Sequence, residues 1–283
     1  MTKLLFRLVI GGLFALFGLF SYYGNTDVNP VTGEKQRVQL SPQQEVVLGL
    51  QAREEMAAQH GGLFPDPTLQ QYVDAVGERL VQRTSVRNSP YRFEFHLLRD
   101  PQTINAFALP GGQVFLTAAL LARLGDESQL AGVLGHEIGH VIGRHGAEHM
   151  AKQQLGVTLV NAVGVAASDE YGSGRGAAAV AQAVNQLVGL NYGRDDELES
   201  DRLGLDFIVQ AGYDPNGIVG LMEVLGSTRS GGEPPEFFST HPNPSNRLGI
   251  LQDLIQDAFP NGVPSNLEDG QARFSQIVGA RLR

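Results

Sequence analysis

A pair of histidines with metal-binding spacing lies near the middle of the chain, where residues 136–140 read His-Glu-Ile-Gly-His. On a helix of about 100° per residue, His136 and His140 lie about 40° apart on one face, so both imidazoles can reach one zinc ion. Glu137 lies beside them, where its carboxylate can accept a proton from water activated by the metal. The pentapeptide therefore predicts one Zn²⁺ ion per chain, with Glu137 as the general base.

Two histidines leave a zinc site incomplete, and an acidic run further along the chain offers a third ligand. Residues 195–201 read DDELESD, with Glu197 and Asp201 one helical turn apart. This spacing allows Glu197 to bind the metal while Asp201 accepts a hydrogen bond from the far ring nitrogen of a ligand histidine. Acidic residues at a helix start also complement the helix dipole, so the metal interpretation depends on the pentapeptide upstream.

The pentapeptide lies within a predicted helix. The segment Asp126–Gln129 has the spacing of a capping box, which predicts a helix that runs to about residue 152. Gly135, Gly139 and Gly143 recur every four residues along it, at a cost of about 1 kcal/mol each relative to alanine. We therefore expect another backbone to approach closely along this row of glycines.

Two more histidines follow on the same predicted helix. If the helix is uninterrupted, His145 and His149 lie about 140° and 180° around the axis from His140. We therefore expect both side chains to face away from the metal, as surface or packing residues.

The other elements that must position this site are short strands and further helices. Periodicity and capping signals predict an α+β fold, mainly α, with a small sheet. The predicted strands are 91–97, 104–109 and 113–117, and the predicted helices are 41–59, 67–83, one from 195 to 212, one ending near 225, one within 241–258 and a short one in the C-terminal tail. Two Ala/Val/Gly-rich segments, 155–167 and 177–190, flank the loop 168–176. They are interpreted as buried helices or, alternatively, as a pair that touches a membrane or gates the site.

The N-terminus combines a basic start with an apolar run. Lys3 and Arg7 precede an almost wholly apolar segment, and with Arg7 extended toward the surface the stretch Leu4–Tyr23 reaches the roughly 20 residues that span a bilayer. Bulky residues stand where a cleavage site needs small ones, so we prefer an uncleaved membrane anchor to a removed signal peptide. The predicted organisation is an N-terminal signal or anchor (1–24), a linker (25–40), the main domain (41–260) and a C-terminal tail (261–283).

Composition excludes several classes of protein. The 283 residues carry a formal charge of −9, which argues against nucleic acid as a partner. The apolar fraction of 42% and the charged fraction of 18% fit a globular chain. The absence of cysteine excludes thiol nucleophiles, disulfide scaffolds and zinc ribbons. Any bound metal must therefore be held by His, Asp and Glu.

With these residues in view, the sequence resembles a known family. HEIGH (136–140) followed by ELESD (197–201) resembles the gluzincin arrangement HExxH…ExxxD, and the surrounding sequence resembles the HtpX, LoiP and BepA group of zinc metalloproteases, related to the CAAX prenyl protease and the Oma-type proteases. The other segments that resemble this family are NPVTGEKQRV (29–38), NAFALPGG (105–112), GHVIGRH (139–145), SDRLGLDFIVQAGYDP (200–215) and HPNPSNR (241–247).

The resemblance implies a role for each matching position. By similarity, the zinc ligands are His136, His140 and Glu197, the general base is Glu137, and the residue that orients a ligand is Asp201. His241 is expected near the metal, where it stabilises an oxyanion or occupies the fourth ligand position in a latent state, supported by Arg247. Asn105 and its strand are expected to pair with an extended substrate backbone. Ser200 stands where the family usually has alanine.

The implied fold is zincin-like (gluzincin), with the small sheet beside the HExxH helix. The implied function is zinc-dependent endoproteolysis of unfolded or misfolded proteins in envelope quality control. The full-length transmembrane helices of the HtpX type are absent from the sequence, which favours the soluble periplasmic branch, with the catalytic domain outside the cytoplasm. The expected partners are polypeptide substrates, and the membrane if the N-terminal segment is uncleaved. The alternatives are a latent, zinc-bound chaperone or assembly factor and, less favoured, a hydrolase of non-peptide substrates.

Overall fold

The computed structural model describes residues 2–167, 192–227, 235–242 and 246–282. These residues belong to two compact units, Met1–Ser41 with Gly146–Leu190 and Pro42–His145 with Asn191–Arg283. All the site residues predicted from the sequence lie in the second unit. The domain boundaries proposed from the sequence stay a prediction.

Helices account for most of the described chain, and a few short strands complete it. In chain order the helices are α1 Thr2–Gly24, α2 Pro42–Gln59, α3 Pro67–Arg83, α4 Ala118–Leu121, α5 Glu127–Ile142, α6 His145–Ala167, α7 Arg194–Gln210, α8 Asn216–Ser227, α9 Phe237–Thr240, α10 Arg247–Ala258, α11 Gln271–Phe274 and α12 Ala280–Leu282. The strands are β1 Asp27–Val28, β2 Lys35–Gln36, β3 Glu94–Leu98, β4 Ala106–Leu109 and β5 Gln113–Thr117.

The first unit contains the N-terminal helix and a minimal ribbon. Over Leu5–Gly24, α1 is long and apolar enough to cross a membrane, and it is the one such helix among the described residues. Most of its large apolar side chains are exposed, including Leu8, Leu16 and Phe17. Strands β1 and β2 pair antiparallel. The predicted helix 177–190 and the loop 168–176 lie outside the described residues.

The second unit contains a three-stranded sheet packed against helices. Its strand order is β3-β5-β4, with β5 parallel to β3 and antiparallel to β4. The β4–β5 hairpin turns at Gly111 and Gly112, whose φ angles of 87° and 108° suit glycine. Strand β4 packs on α5, and all its residues are buried. The predicted α+β fold, mainly α with a small sheet beside the histidine helix, is confirmed.

The predicted helix 126–152 is interrupted, which corrects the sequence analysis. Helix α5 ends at Ile142, Arg144 adopts a left-handed conformation with φ 56°, and α6 begins at His145. A non-glycine residue in this region is uncommon and needs support from its surroundings. Because the chain turns here, angular positions counted from His140 along one straight helix do not apply beyond Gly143.

A buried ion pair supports the turn between α5 and α6. The Arg144 guanidinium donates from Nε to the Glu45 carboxylate at 2.9 Å, and both side chains are about 1% exposed. The Tyr91 hydroxyl donates to the other Glu45 oxygen, also at 2.9 Å. Glu45 lies in the first turn of α2, so this contact joins the start of α2 to the end of α5.

Replacing Glu45 tests whether the pair supports the fold. We expect Glu45→Gln to lower the free energy of unfolding by about 3 kcal/mol, since it leaves a buried guanidinium without its counter-charge. The measurement is urea unfolding at neutral pH. The control is Glu54→Gln on the same helix, which removes an ion pair with Arg53 in which Glu54 is 81% exposed. The control should change stability by less than about 0.5 kcal/mol, and equal effects of the two variants would contradict the account.

Candidate metal centre

Two helices of the second unit cross with their backbones in contact. A Cβ atom added at Gly139 would lie 2.9 Å from the Ser200 carbonyl oxygen, and one added at Gly135 would lie 3.2 Å from the Gly204 carbonyl oxygen. In return, a Cβ at Gly204 would lie 3.0 Å from the His136 amide nitrogen. Gly135 and Gly139 of the predicted glycine row therefore form the surface on which α7 packs, whereas Gly143 faces the His145 ring. The contact with α7 brings the histidines to the acidic run.

Four side chains converge at the crossing, and each is fully buried. The Nε2 atoms of His136 and His140 are 3.1 Å apart, and each lies 3.4–3.5 Å from a Glu197 carboxylate oxygen. One ligand atom from each of these residues and from His241 lies within 4.8 Å of the others. Ligand atoms about 2.1 Å from a tetrahedral zinc ion lie roughly 3.4 Å apart. The spacing of the three atoms from His136, His140 and Glu197 fits such an ion, and His241 lies within 4.8 Å of them.

The charge of the buried cluster also fits a divalent cation. Glu137, Glu197 and Asp201 contribute three carboxylates, and Arg247 contributes one guanidinium; all four side chains are at most 1% exposed. When all three carboxylates are ionised and the histidines are neutral, as metal ligation requires, two negative charges have no counter-charge within this cluster, and buried charges require compensation. Burial raises the pKa of Glu137 to about 8. Burial also opposes the charged form of His136, but its hydrogen bonds with Asp201 and Glu197 raise its pKa to about 9. Within the described part of the chain, neither Glu137 oxygen nor His241 Nε2 has a hydrogen-bond partner. These residues could hold one divalent metal ion.

Asp201 contacts both His136 and Arg247. His136 Nδ1 lies 3.0 Å from Asp201 Oδ1, and Arg247 donates from Nε and Nη2 to the two Asp201 oxygens at 2.7 Å. Burial opposes the charged form, but the hydrogen bonds from Arg247 and His136 hold the pKa of Asp201 below its usual value. Arg247 Nη1 also lies 2.7 Å from Glu197 Oε2. One guanidinium therefore holds two carboxylates of the cluster in place.

Glu137 and His241 face each other beside the histidine pair. Their closest atoms, Glu137 Oε1 and His241 Nε2, are 3.5 Å apart. Burial raises the pKa of Glu137 to about 8 and lowers the pKa of His241 to about 3. The His241 ring stacks on Phe237, with ring centroids 4.3 Å apart, and its Nδ1 lies 2.9 Å from Thr240 Oγ1. The short helix α9 thus aims His241 Nε2 at the cluster.

Asn105 has contacts with Thr117 and Glu236. It immediately precedes β4 and is buried, and its Nδ2 is 3.4 Å from Glu236 Oε1. Its backbone carbonyl accepts a hydrogen bond from the Thr117 amide at 3.0 Å. Its predicted contact with substrate stays a prediction.

The structure adds residues that the sequence analysis did not assign to the site. His145 does not face away, as a continuous helix would require; its Nδ1 lies 2.9 Å from His140 Nδ1. Tyr192 stacks on the His140 ring, with centroids 3.9 Å apart and planes at 20°. No sequence pattern indicates either contact, since Gly143 is in the right-handed helical region and the left-handed residue after the helix is Arg144.

Replacing Asp201 tests whether it supports the metal centre. Because a carboxylate that holds a ligand histidine typically contributes 10–100-fold to metal affinity, we expect Asp201→Asn to weaken zinc binding by about that factor. The measurement is a zinc titration in competition with a chelator. The control is Asp206→Asn, further along the same helix, which should leave the affinity unchanged; equal affinities of the two variants would contradict this role.

Comparison with known proteins agrees with this geometry. Residues 67–255 match peptidase family M48. The beta-barrel assembly-enhancing protease of Yersinia pestis is 34% identical over 247 residues, which cover 85% of this chain and 50% of that protein. The mitochondrial metalloendopeptidase OMA1 of Schizosaccharomyces pombe is 30% identical over 261 residues, covering 89% and 73%. The metalloprotease YcaL of Escherichia coli is 27% identical over 171 residues, covering 60% and 65%. The chain spans about half the length of the beta-barrel assembly-enhancing proteases that it matches, and it belongs to peptidase family M48.

Proposed function

We propose that this protein is a zinc metalloendopeptidase that cleaves unfolded or misfolded polypeptides. The observation that carries the proposal is the convergence of two imidazoles and a carboxylate beside the buried Glu137 carboxylate. The ligands are His136, His140 and Glu197, whose facing atoms are 3.1–3.5 Å apart. A zinc ion held there lowers the pKa of water and polarises the scissile carbonyl.

Glu137 is the general base in this proposal. Its oxygens are buried and have no hydrogen-bond partner among the described residues, so they are available to a water molecule at the site. Glu137 takes the proton of the attacking water and later gives it to the leaving amine. Burial raises its pKa to about 8, and the charge of a bound cation would favour its ionised form.

Arg247 and Asp201 keep the ligands in position. The bidentate contact between them fixes Asp201 against His136 Nδ1, so the proton of a neutral His136 sits on Nδ1 and the Nε2 lone pair remains free for the metal. The ion pair of Arg247 with Glu197 restrains the third ligand at the same time.

A peptide substrate suits the strand next to the site. Strand β4 is an edge of the three described strands and packs on α5, the helix that carries Glu137. An extended peptide recognised by strand addition gains main-chain hydrogen bonds without a sequence requirement. This property fits unfolded substrates, and we assign Asn105, at the start of this strand, to substrate binding.

The test of the proposed function is the Glu137→Gln variant. We expect it to retain zinc and to lose at least about 10²-fold in the cleavage of an unfolded protein such as casein, because general acid–base catalysis contributes 10²–10⁴-fold. The measurements are zinc content and cleavage rate. The comparison variant His136→Ala should lose both metal and activity. Cleavage at the wild-type rate by zinc-loaded Glu137→Gln would contradict the role of Glu137.

A second candidate function is a latent, zinc-bound chaperone or assembly factor. The observation that favours it is the position of His241, whose Nε2 is fully buried and belongs to the group of four converging ligand atoms. If His241 is a fourth ligand that blocks the site, His241→Ala should increase the cleavage rate of the full chain. If His241 instead stabilises the oxyanion of the reaction, the same variant should decrease that rate. Cleavage assays on wild type and variant therefore distinguish the two roles.

We place the protein in the cell envelope, anchored by α1 with the catalytic unit outside the cytoplasm, and assign it to envelope protein quality control. The exposed apolar surface of α1 and the similarity to beta-barrel assembly-enhancing proteases support this placement. The full chain should then remain with membranes after an alkaline carbonate wash, and a chain lacking residues 1–24 should be soluble. Release of the full chain by the wash would contradict anchoring.

A further inference from the structure

The turn between α5 and α6 places a third histidine behind the histidine pair. After α5 ends, the left-handed Arg144 directs the chain back toward the helix, and the buried pair of Arg144 with Glu45 holds it there. The His145 ring lies directly over Gly143, where an added Cβ would be 2.4 Å from His145 Nε2. A side chain at position 143 would therefore displace this ring.

His145 contacts His140 through one ring nitrogen and the Glu199 carboxylate through the other. His145 Nδ1 lies 2.9 Å from His140 Nδ1, and His145 Nε2 lies 3.1 Å from Glu199 Oε2. Both imidazoles are almost fully buried, whereas the Glu199 side chain is 28% exposed. Ser200 Oγ also lies near His145, at 3.4 Å from its Nδ1. In the described structure, two polar contacts therefore connect the three side chains: one joins His140 to His145, and the other joins His145 to Glu199.

Counting protons along these two contacts fixes both tautomers. A histidine that uses Nε2 as a metal ligand carries its proton on Nδ1 when neutral. The Nδ1–H group of His140 must then donate to His145 Nδ1, which can accept only if the His145 proton is on Nε2. That Nε2–H group in turn donates to Glu199. Every donor meets an acceptor in this arrangement. The opposite pair of tautomers would place the His140 proton on Nε2, the proposed metal-binding atom, and would turn an unprotonated His145 Nε2 toward the Glu199 carboxylate.

We propose that His145 and Glu199 are positioning residues, which together fix the tautomer and orientation of His140 as a metal ligand. This inference rests on the proposed metal site and extends it to a relay outside the ligand set. The ring of His140 is then held at its edge by His145 and on its face by Tyr192, 3.9 Å away.

The two candidate ligand histidines are supported in different ways. His136 contacts a carboxylate directly, and that carboxylate is neutralised by the buried Arg247. His140 reaches its carboxylate through a second imidazole, and Glu199 is partly open to solvent. The relay therefore orients His140 without adding a third fully buried carboxylate to α7 beside Glu197 and Asp201.

The first test compares two substitutions of His145 in the full chain. His145→Phe retains a ring but removes both nitrogens, and we expect zinc affinity to fall about 10–100-fold, with an altered visible spectrum of the Co²⁺-loaded protein. His145→Gln can still accept from His140 and donate to Glu199, so it should recover most of the lost affinity. The control is His149→Gln, one turn further along α6, which should bind zinc as wild type does.

A second pair of variants covers the case in which His145→Phe does not fold. Glu199→Gln keeps an acceptor for the His145 Nε2–H group and should lose little affinity, whereas Glu199→Leu should weaken zinc binding clearly more. Unchanged zinc affinity in both His145→Phe and Glu199→Leu would overturn the relay.

Nitrogen-15 NMR of histidine-labelled protein separates this inference from the proposed function. The metal-free wild type should show His140 protonated on Nδ1 and His145 protonated on Nε2, a readout that requires no activity. A His140 proton on Nε2 or a His145 proton on Nδ1 would overturn the relay even if the protein binds zinc. Wild-type protein that binds no zinc would overturn the proposed metal site, whatever the tautomers.

Discussion

The close crossing of α5 and α7 is the contact on which the site depends. Glycines at 135, 139 and 204 let the two backbones approach until a methyl group at any of them would meet the opposite chain within 2.9–3.2 Å. Glycines weaken an isolated helix. The close packing of α5 on α7, which a larger residue would prevent, compensates for this cost. The same approach brings Asp201 within hydrogen-bond distance of His136. The packing of α5 on α7 therefore also sets the geometry of the candidate metal site. A change in the crossing would separate the candidate ligands.

Electrostatics sets the second constraint on the cluster. A buried group of carboxylates is stable only if cations accompany it, and Arg247 provides one positive charge to two of them. With all three carboxylates ionised and the histidines neutral, the uncompensated remainder equals the charge of one divalent ion. Burial raises the pKa of Glu137, and a cation nearby would favour its ionised form. The buried carboxylates that make the site energetically costly are thus also the groups that suit it to activate water.

Much of this arrangement could be predicted from the sequence, because local spacing determines it. The four-residue interval between His136 and His140 places both on one face of α5, and the interval between Glu197 and Asp201 does the same on α7. The glycine row predicted a close backbone, which α7 supplies at Gly135 and Gly139, whereas Gly143 faces the His145 ring. The orientation of His145 could not be predicted from periodicity, since the left-handed Arg144 is stabilised by Glu45, which is 99 residues away in sequence. The stacking of Tyr192 on His140 is likewise a tertiary contact without a sequence signal.

The central claim is that His136, His140 and Glu197 hold one zinc ion, and the most direct test is the metal content of the full chain. The measurement is elemental analysis of folded protein that has been purified without chelators. The account predicts one zinc per chain. Folded protein without a bound divalent metal, even after incubation with excess zinc, would contradict it.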